Sequence, residues 1–405
     1  MSGPSTDPEI AGLIERESRR RASTLQLIAS ETPASPAVRA ALVSDLGAKY
    51  AEGYPGARFH GGCEVVDEVE QLAIDRAAER FGADYVNVQP LSGSAANLAV
   101  YAAFAQIGDP VLALRLEHGG HQTHGSRANF SGRWFAPLHY GVREADERID
   151  YDELRDLALL HRPSIIVAGG AAYSRVIDFA ALRAIADDAE AILWVDAAHL
   201  AGLVAGAVVP SPVPYADVVT LSTHKVLQGP RGGMILAREM HRAVLQKAVQ
   251  PFVQGGPAMN TIAATAVCMR ESGTREFAEY AAATVATARR LGDELTARGL
   301  RIVSGGTDIH LAVVDVSSVG LTGIEAQLRL AAAGVVVDRA VLPFDHRPPA
   351  EGSAIRVGTP SSVLAGLGVD DMPTVADWID RALAEPVGGP QHAAIRREIE
   401  ARVGG

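Results

Sequence analysis

The sequence predicts an α/β fold in which helices cover both faces of a mostly parallel β-sheet. Between about residues 85 and 236, short runs rich in aliphatic and β-branched residues alternate with segments whose apolar spacing suits helices. This alternation is typical of parallel sheets, because a crossover, usually a helix, must join each strand to the next. The length of 405 residues allows one large domain and a smaller one.

Six runs in this region each predict a strand: YVNVQP, PVLAL, SIIVAG, AILWVD, DVVTLS and GGMILA. The segments SAANLAVYAAFAQIG and DFAALRAIADDAEA predict helices between them. The alanine-rich stretch from 261 to 299 predicts a helix that leads into a second part of the chain.

In that second part, RIVSGG, IHLAVVDV and VVVDRA predict strands, and TGIEAQLRLAAAG predicts a helix between the latter two. The tail VGGPQHAAIRREIEARVGG predicts a final amphipathic helix. We therefore divide the chain into an N-terminal arm with a large domain (residues 1–279) and a smaller C-terminal α+β domain (residues 280–405).

Composition argues against several classes of partner. The net charge is 37 − 48 = −11, so the sequence predicts no basic face for nucleic acid or anionic lipid. The most apolar segment, residues 191–209, contains Asp196 and His199, which argues against a membrane span. Cys63 and Cys268 give no disulfide framework and fit a reducing compartment. We expect a cytoplasmic protein without nucleic-acid or membrane partners.

Polar residues follow two of the predicted strands. Ser92, Gly93 and Ser94 open a helix after VNVQP, where hydroxyls and backbone N–H groups can bind a phosphate. Such turns are common, so this signal alone is weak. Asp196 and His199 follow AILWV. A carboxylate at the end of a buried strand needs a positive or hydrogen-bonding partner, which a protonated pyridine nitrogen or a nearby arginine would supply.

A third strand, DVVTL, is followed by Ser222, His224 and Lys225. Burial of a lysine disfavours its ammonium form and frees the amine for Schiff-base chemistry. Each group alone is commonly structural, and a lysine after a strand can simply face water. Together, a phosphate-binding turn, an aspartate and a lysine on successive strand ends indicate a pyridoxal phosphate site.

The sequence resembles the serine hydroxymethyltransferase family over nearly its whole length. The matching stretches include LIASET, KYAEGYPGARFHGG, FGADYVNVQPLSGSAAN, EHGGHQTHGS, VDAAHLAGLVA, STHKVLQGPRGG, QGGP, SGGTDIHL and IRVGTP. The resemblance implies the fold of a fold-type-I pyridoxal phosphate enzyme, with a mostly parallel seven-stranded sheet and a smaller C-terminal α+β domain. It also implies an amino-acid substrate.

The resemblance implies a role for each matching residue. Lys225 would carry pyridoxal 5'-phosphate covalently, Asp196 would bind the pyridine nitrogen, and His121 would stack on the ring. The implied cofactor-binding set is Ser92, Gly93, Ser94, His121, Asp196, His199, Ser222, His224, Lys225, Gly255 and Gly256. No metal is expected, because the histidines of HGGHQTH have roles at the cofactor, and His124 is expected to be structural or supporting.

The remaining residues concern the substrate and the partner subunit. Ser30 and Arg356 would bind the amino-acid carboxylate. Tyr50, Glu52 and His60 would act in catalysis and substrate binding from across a subunit interface, together with Gly255 and Gly256 on the phosphate. The resemblance therefore implies a homodimer with shared active sites, or a tetramer built from such dimers.

Eight positions depart from the family's usual pattern, among them Gln122, Phe252, Val253 and Asn260. Phe59 and His60 stand where two tyrosines are usual, Ala171 replaces a serine beside the cofactor, and Phe344 replaces an asparagine that contacts the pterin. Several of these changes fall on the folate side of the pocket. They make tetrahydrofolate a doubtful second substrate, because a site that loses its hydrogen-bonding partners loses discrimination.

The sequence thus leaves several functions open. Our main expectation is a folate-independent enzyme of specialised metabolism that makes or breaks the Cα–Cβ bond of a β-hydroxy or β-substituted amino acid, as an aldolase, transaldolase or hydroxymethyl transferase. One alternative is a decarboxylase or β-eliminating lyase on an amino-acid conjugate in an antibiotic pathway. Another is a folate-dependent serine hydroxymethyltransferase. A catalytically idle binding protein is a third, against which intact Lys225, Asp196 and Arg356 argue.

Overall fold

The computed structural model describes residues 7–403. Its strands, in chain order, are β1 (Leu25–Gln26), β2 (Gly53–Tyr54), β3 (Ala57–Arg58), β4 (Tyr85–Asn87), β5 (Pro110–Leu114), β6 (Ala136–Tyr140), β7 (Ile165–Gly169), β8 (Ile192–Asp196), β9 (Val218–Ser222), β10 (Gly233–Ala237), β11 (Arg301–Ile302), β12 (Leu311–Asp315), β13 (Val335–Val336), β14 (Asp338–Ala340) and β15 (Ala354–Gly358). Its α-helices are α1 (Pro8–Ala22), α2 (Pro36–Leu42), α3 (Glu64–Phe81), α4 (Gly93–Phe104), α5 (Phe130–Trp134), α6 (Tyr151–His161), α7 (Phe179–Ala189), α8 (Ala201–Ala205), α9 (Arg242–Lys247), α10 (Met259–Glu271), α11 (Arg275–Ala297), α12 (Gly323–Ala332), α13 (Pro360–Leu364), α14 (Met372–Ala384) and α15 (Pro390–Val403).

The central sheet has seven strands in the order β4-β10-β9-β8-β7-β5-β6. The pairs from β9 to β6 are parallel, and β10 runs antiparallel to both of its neighbours. This confirms the predicted α/β fold with a mostly parallel sheet. Strand β6 was not predicted, because its sequence APLHY mixes polar residues and a proline. It lies at the edge of the sheet, where a proline is tolerated.

Both faces of the central sheet are buried. In β8, Leu193 and Val195 belong to one hydrophobic cluster, and Trp194 belongs to another. Because side chains alternate along a strand, these two clusters lie on opposite faces of the sheet. With both faces covered, the carboxyl ends of the strands are where a site can form.

The second sheet is antiparallel, with the order β11-β12-β15-β14. Helix α11 packs on both parts of the protein: Phe277 and Tyr280 join the core of the large sheet, while Leu291 and Leu295 join the core of the second. The proposed domain boundary at residue 280 falls within this helix and stays a prediction. The alanine-rich stretch predicted as helical forms most of α10 and α11. Between residues 7 and 403, no helix is both long and apolar enough to cross a membrane.

Candidate active site

A cleft of about 190 Å³ lies at the carboxyl ends of β8 and β9, beside the amino terminus of α4. Parallel strands end at the same edge of a sheet, so residues far apart in sequence meet there. The lining residues are Ser92, Gly93, Ser94, Asn97, His121, Gly170, Ala171, Asp196, Ala198, His199, Ser222, His224, Lys225 and Arg231. The structure thus brings together all the predicted cofactor-binding residues except Gly255 and Gly256, although their roles stay predictions.

The amino terminus of α4 forms one wall of this cleft. Ser92 is the N-cap, and its Oγ accepts the N–H of Ala95 at 3.1 Å. The first-turn N–H groups of Gly93 and Ser94 have no partner within the helix and are therefore available to a ligand. A Cβ atom on Gly93 would lie only 2.4 Å from Oγ of Ser222, so glycine keeps this space open. Two free N–H groups beside a hydroxyl fit a phosphate.

Asp196 is buried at the end of β8, where three groups hydrogen-bond to its carboxylate. Oδ2 accepts from Nδ2 of Asn97 at 2.8 Å and lies 3.1 Å from Nε2 of His124, while Oδ1 accepts from the N–H of Ala198 at 3.0 Å. Burial raises the pKa of Asp196, but the hydrogen bond and charge of His124 outweigh it and hold this pKa below its ordinary range. A carboxylate offers about four acceptor positions. The ionised Asp196 therefore retains capacity for a ring N–H.

Lys225 follows β9 and is partly buried in the cleft. Burial lowers the pKa of its amine to about 8; the charge of Asp196 opposes this change, and the charges of Arg356 and Arg231 add to it. An ordinary lysine, with a pKa of about 10.4, is almost entirely protonated at neutral pH. Because only the neutral amine attacks a carbonyl, the cleft contains a usable nucleophile.

Three histidines around the cleft are held neutral. Burial lowers the pKa of His121 to about 4, and its Nδ1 lies 2.7 Å from Oγ1 of Thr123. Burial also lowers the pKa of His199 and brings that of His310 to about 3. Nδ1 of His199 lies 3.3 Å from Nε2 of His310, and the two rings are nearly parallel. Neutral rings at these positions suit contact with an aromatic cofactor.

Arg356 lies on β15 and reaches the edge of the cleft. Its Nη1 donates to the carbonyl oxygen of Ala171, and its Nε and Nη2 donate to Oδ2 of Asp338 at 3.1 and 2.6 Å. Sequence reasoning predicted Arg356 but missed Asp338. Asp338 is opposite Arg356 in the register of β14 and β15, and the sequence alone does not reveal that pairing.

Sequence reasoning also missed other supporting residues. Asn97 and His310 were not predicted, and His124 was expected to be structural or supporting. Asn97 lies one turn along α4 from Gly93, and this helical spacing was the available signal. The contact between His199 and His310 joins segments 111 residues apart, so it needed the fold.

The remaining predicted catalytic residues and the two predicted cofactor-binding glycines form a second group: Tyr50, Glu52, His60, Gly255 and Gly256. The rings of Tyr50 and His60 lie 4.8 Å apart, and a Cβ on Gly255 would lie 3.0 Å from Oε1 of Glu52. The Nδ1 atom of His60 is buried without a hydrogen-bond partner among the described residues. None of the five lines the Lys225 cleft as residues 7–403 form it.

Ser30 and the departing residues lie outside the cleft. Ser30 lines a neighbouring cavity of about 470 Å³, which shares His224 and Arg231 with the Lys225 cleft. Phe59 is 78% exposed and Phe344 is 45% exposed. Of the eight positions that depart from the family's pattern, Ala171 alone lines the cleft within the described part of the chain.

A possible metal site overlaps the cleft, because donor atoms of His121, His124 and Asp196 lie within 4.8 Å of one another. Each member already has a partner in the hydrogen-bond network: Nδ1 of His121 contacts Thr123, and Nε2 of His124 contacts Asp196. The network accounts for the cluster without an ion. The expectation of a metal-free site stays a prediction.

Comparison with known proteins gives a consistent result. The family model described as serine hydroxymethyltransferase matches residues 4–379. A serine hydroxymethyltransferase of Coprothermobacter proteolyticus is 52% identical over 371 residues, which cover 92% of this chain and 89% of that protein. A serine hydroxymethyltransferase of Koribacter versatilis is 49% identical over 393 residues, which cover 97% of this chain and 92% of that protein.

Proposed function

The chain belongs to the serine hydroxymethyltransferase family, and from this premise we propose that it transfers the hydroxymethyl group of serine to tetrahydrofolate, leaving glycine. Enzymes of this family use pyridoxal phosphate. The observation that carries the proposal is the cleft itself, in which a lysine with a lowered pKa shares one wall with an ionised, buried Asp196.

We assign the cofactor to the Lys225 cleft. The N–H groups of Gly93 and Ser94 and the hydroxyl of Ser222 would bind its phosphate, and Asp196 would accept from its ring nitrogen. When bound, pyridoxal phosphate draws electrons away from Cα of the amino acid, which weakens the bonds to that atom. Lys225 would supply the amine for its covalent attachment.

Other side chains would bind the substrate. Arg356 would bind the amino-acid carboxylate, since a planar guanidinium can grip two oxygens at once. Glu52 and His60 would hold or move a proton at the substrate hydroxyl, and Tyr50 would complete that wall. The neutral ring of His121 would lie against the cofactor and help to exclude water.

We further propose that two copies of the chain share their active sites. The support is that Tyr50, Glu52, His60, Gly255 and Gly256 gather with one another but do not line the Lys225 cleft of their own chain. A second copy would bring this group to the cleft. Mixing an inactive Lys225→Ala variant with an inactive Glu52→Ala variant should restore up to about a quarter of the wild-type activity, because one site per hybrid dimer is then intact. Failure to restore activity would contradict shared sites.

The comparisons favour the folate-dependent alternative over the folate-independent enzyme that we expected from the sequence. The two relatives, at 52% and 49% identity, carry the plain name serine hydroxymethyltransferase, which supports folate-dependent transfer rather than folate-independent chemistry.

The test is the conversion of serine by the purified holoenzyme, with and without tetrahydrofolate, followed by analysis of every product. The proposal predicts glycine in amounts that depend on tetrahydrofolate, and none from a Lys225→Ala variant. Glycine formed equally well without tetrahydrofolate would support aldol cleavage instead. Carbon dioxide or pyruvate as the main product would support the decarboxylase or lyase alternative.

A further inference from the structure

The guanidinium of Arg356 is held along one edge by a single oxygen. Nε and Nη2 form that edge, and both donate to Oδ2 of Asp338. The pair is partly buried, since the side chain of Arg356 is 13% exposed and that of Asp338 is 29% exposed. Charge-assisted bonds of this kind fix the plane of the guanidinium as well as its position.

The other edge of the guanidinium contacts a residue that lines the cleft. It is formed by Nη1 and Nη2, and Nη1 donates to the carbonyl oxygen of Ala171, which lines the cleft. A neutral carbonyl is a weaker acceptor for a guanidinium than a carboxylate is. An incoming carboxylate can therefore take over this edge without disturbing the contact with Asp338.

The backbone gives Asp338 this position. Strands β14 and β15 pair antiparallel with Asp338 directly opposite Arg356, so their side chains lie on the same face of the second sheet. A long arginine side chain has many rotamers, and ordering it at each binding event weakens the binding. Because Asp338 already orders the side chain of Arg356, the entropy of ordering it is not lost again when the ligand binds.

We propose that Asp338 is a positioning residue that aims the Nη1–Nη2 edge of Arg356 at the substrate carboxylate and so sets the preference for amino acids over simple amines. This inference rests on the proposed function, in which Arg356 binds that carboxylate. Asp338 itself does not touch the substrate. Its contribution lies in the orientation of Arg356.

Two substitutions of Asp338 distinguish the effect of its hydrogen bonds to Arg356 from the effect of its negative charge. Because one oxygen accepts both N–H groups, Asp338→Asn can keep both bonds through its amide oxygen while losing the negative charge. Asp338→Ala loses both the bonds and the charge. A matched control is Asp371, whose Oδ1 accepts Nε and Nη2 of Arg402 in the same manner and which is 28% exposed.

The experiment measures the affinity of the holoenzyme for glycine and for methylamine, which lacks the carboxylate, from the change in visible absorbance of the bound cofactor. We expect Asp338→Ala to reduce the preference for glycine about ten-fold, the penalty of ordering one long side chain anew. Asp338→Asn should stay within about three-fold of wild type, and Asp371→Ala should match wild type. If Asp338→Ala does not fold, Asp338→Ser takes its place, because its side chain is too short to reach the guanidinium.

The Arg356→Lys variant distinguishes a failure of the positioning role of Asp338 from a failure of the proposed carboxylate binding by Arg356. If this variant loses the preference for glycine while Asp338→Ala keeps it, the positioning role is wrong and the proposed function stands. If Arg356→Lys also keeps the preference, the carboxylate grip in the proposed function fails, and the inference about Asp338 fails with it. An improved affinity of Asp338→Ala for glycine would mean that Asp338 competes with the substrate, and this too would overturn the inference.

Discussion

The amine of Lys225 should titrate far below an ordinary lysine in the cofactor-free protein. Burial is the main cause, and it brings the pKa from 10.5 to about 8. At pH 7 the lower pKa leaves about 9% of the amine neutral, against about 0.03% for the ordinary value, which is a difference of about 300-fold. Because only the neutral amine is nucleophilic, its reactivity should rise with pH and level off above about pH 9.

The sequence makes this measurement simple, because it contains three lysines: Lys49, Lys225 and Lys247. Trace acetylation of the cofactor-free protein between about pH 6 and pH 11, a range that brackets both pKa values, can be followed for each lysine by peptide mass spectrometry. Lys247 is exposed and serves as an internal reference. We expect the midpoint for Lys225 near pH 8, well below the value of about 10.4 for an ordinary lysine.

Two substitutions should move this midpoint in opposite directions. The carboxylate of Asp196 raises the pKa of Lys225, so Asp196→Asn should lower the midpoint. The guanidinium of Arg231 lowers that pKa, so Arg231→Met should raise the midpoint. A wild-type midpoint for Lys225 near the ordinary lysine value of about 10.4 would refute the reasoning, because it would mean that the amine is not desolvated in the cleft.

Two further predictions concern a buried ion pair and the glycine at the amino terminus of α4. Arg58→Met should lower the free energy of unfolding in urea by about 3–5 kcal/mol, because it leaves the carboxylate of Glu70 buried without its cation; the two side chains are 3% and 1% exposed. The control Arg19→Met breaks an exposed ion pair and should change the free energy of unfolding by less than about 0.5 kcal/mol. Equal effects of Arg58→Met and Arg19→Met would contradict this account. Gly93→Ala should weaken cofactor binding to the cofactor-free protein about ten-fold or more, because its Cβ would lie 2.4 Å from a hydroxyl oxygen across the cleft. Gly12→Ala, whose Cβ meets nothing within 4 Å, is the control, and cofactor affinities equal to wild type in both variants would argue against a phosphate site there.

The sequence predicted the core of the site because its residues follow strands. Ser92, Asp196 and Lys225 were each found at or near a strand or helix end, and the rule that parallel strands end at one edge was enough to bring them together. Six of the seven strands of the central sheet followed from the alternation of apolar runs with helical segments, and the count of seven was implied by the family resemblance. Edge strand β6 escaped prediction because edge strands tolerate polar residues and proline, which weaken the pattern.

Contacts made by the second sheet could not be predicted in this way. Asp338 meets Arg356 through a strand register, and His310 meets His199 across 111 residues. Neither contact leaves a local pattern in the sequence, because strand pairing is fixed by the packing of the whole fold. That Glu52 is not among the residues that line the Lys225 cleft of its own chain likewise required the three-dimensional structure.

The most direct test of the central claim asks which lysine carries the cofactor. Purified holoenzyme would be reduced with borohydride, which makes the link between a lysine and pyridoxal phosphate permanent, and the peptides would then be weighed. We predict that the added mass lies on Lys225 and disappears in a Lys225→Ala variant. Added mass on Lys49 or Lys247, or on none of the three, would contradict the assignment of this cleft.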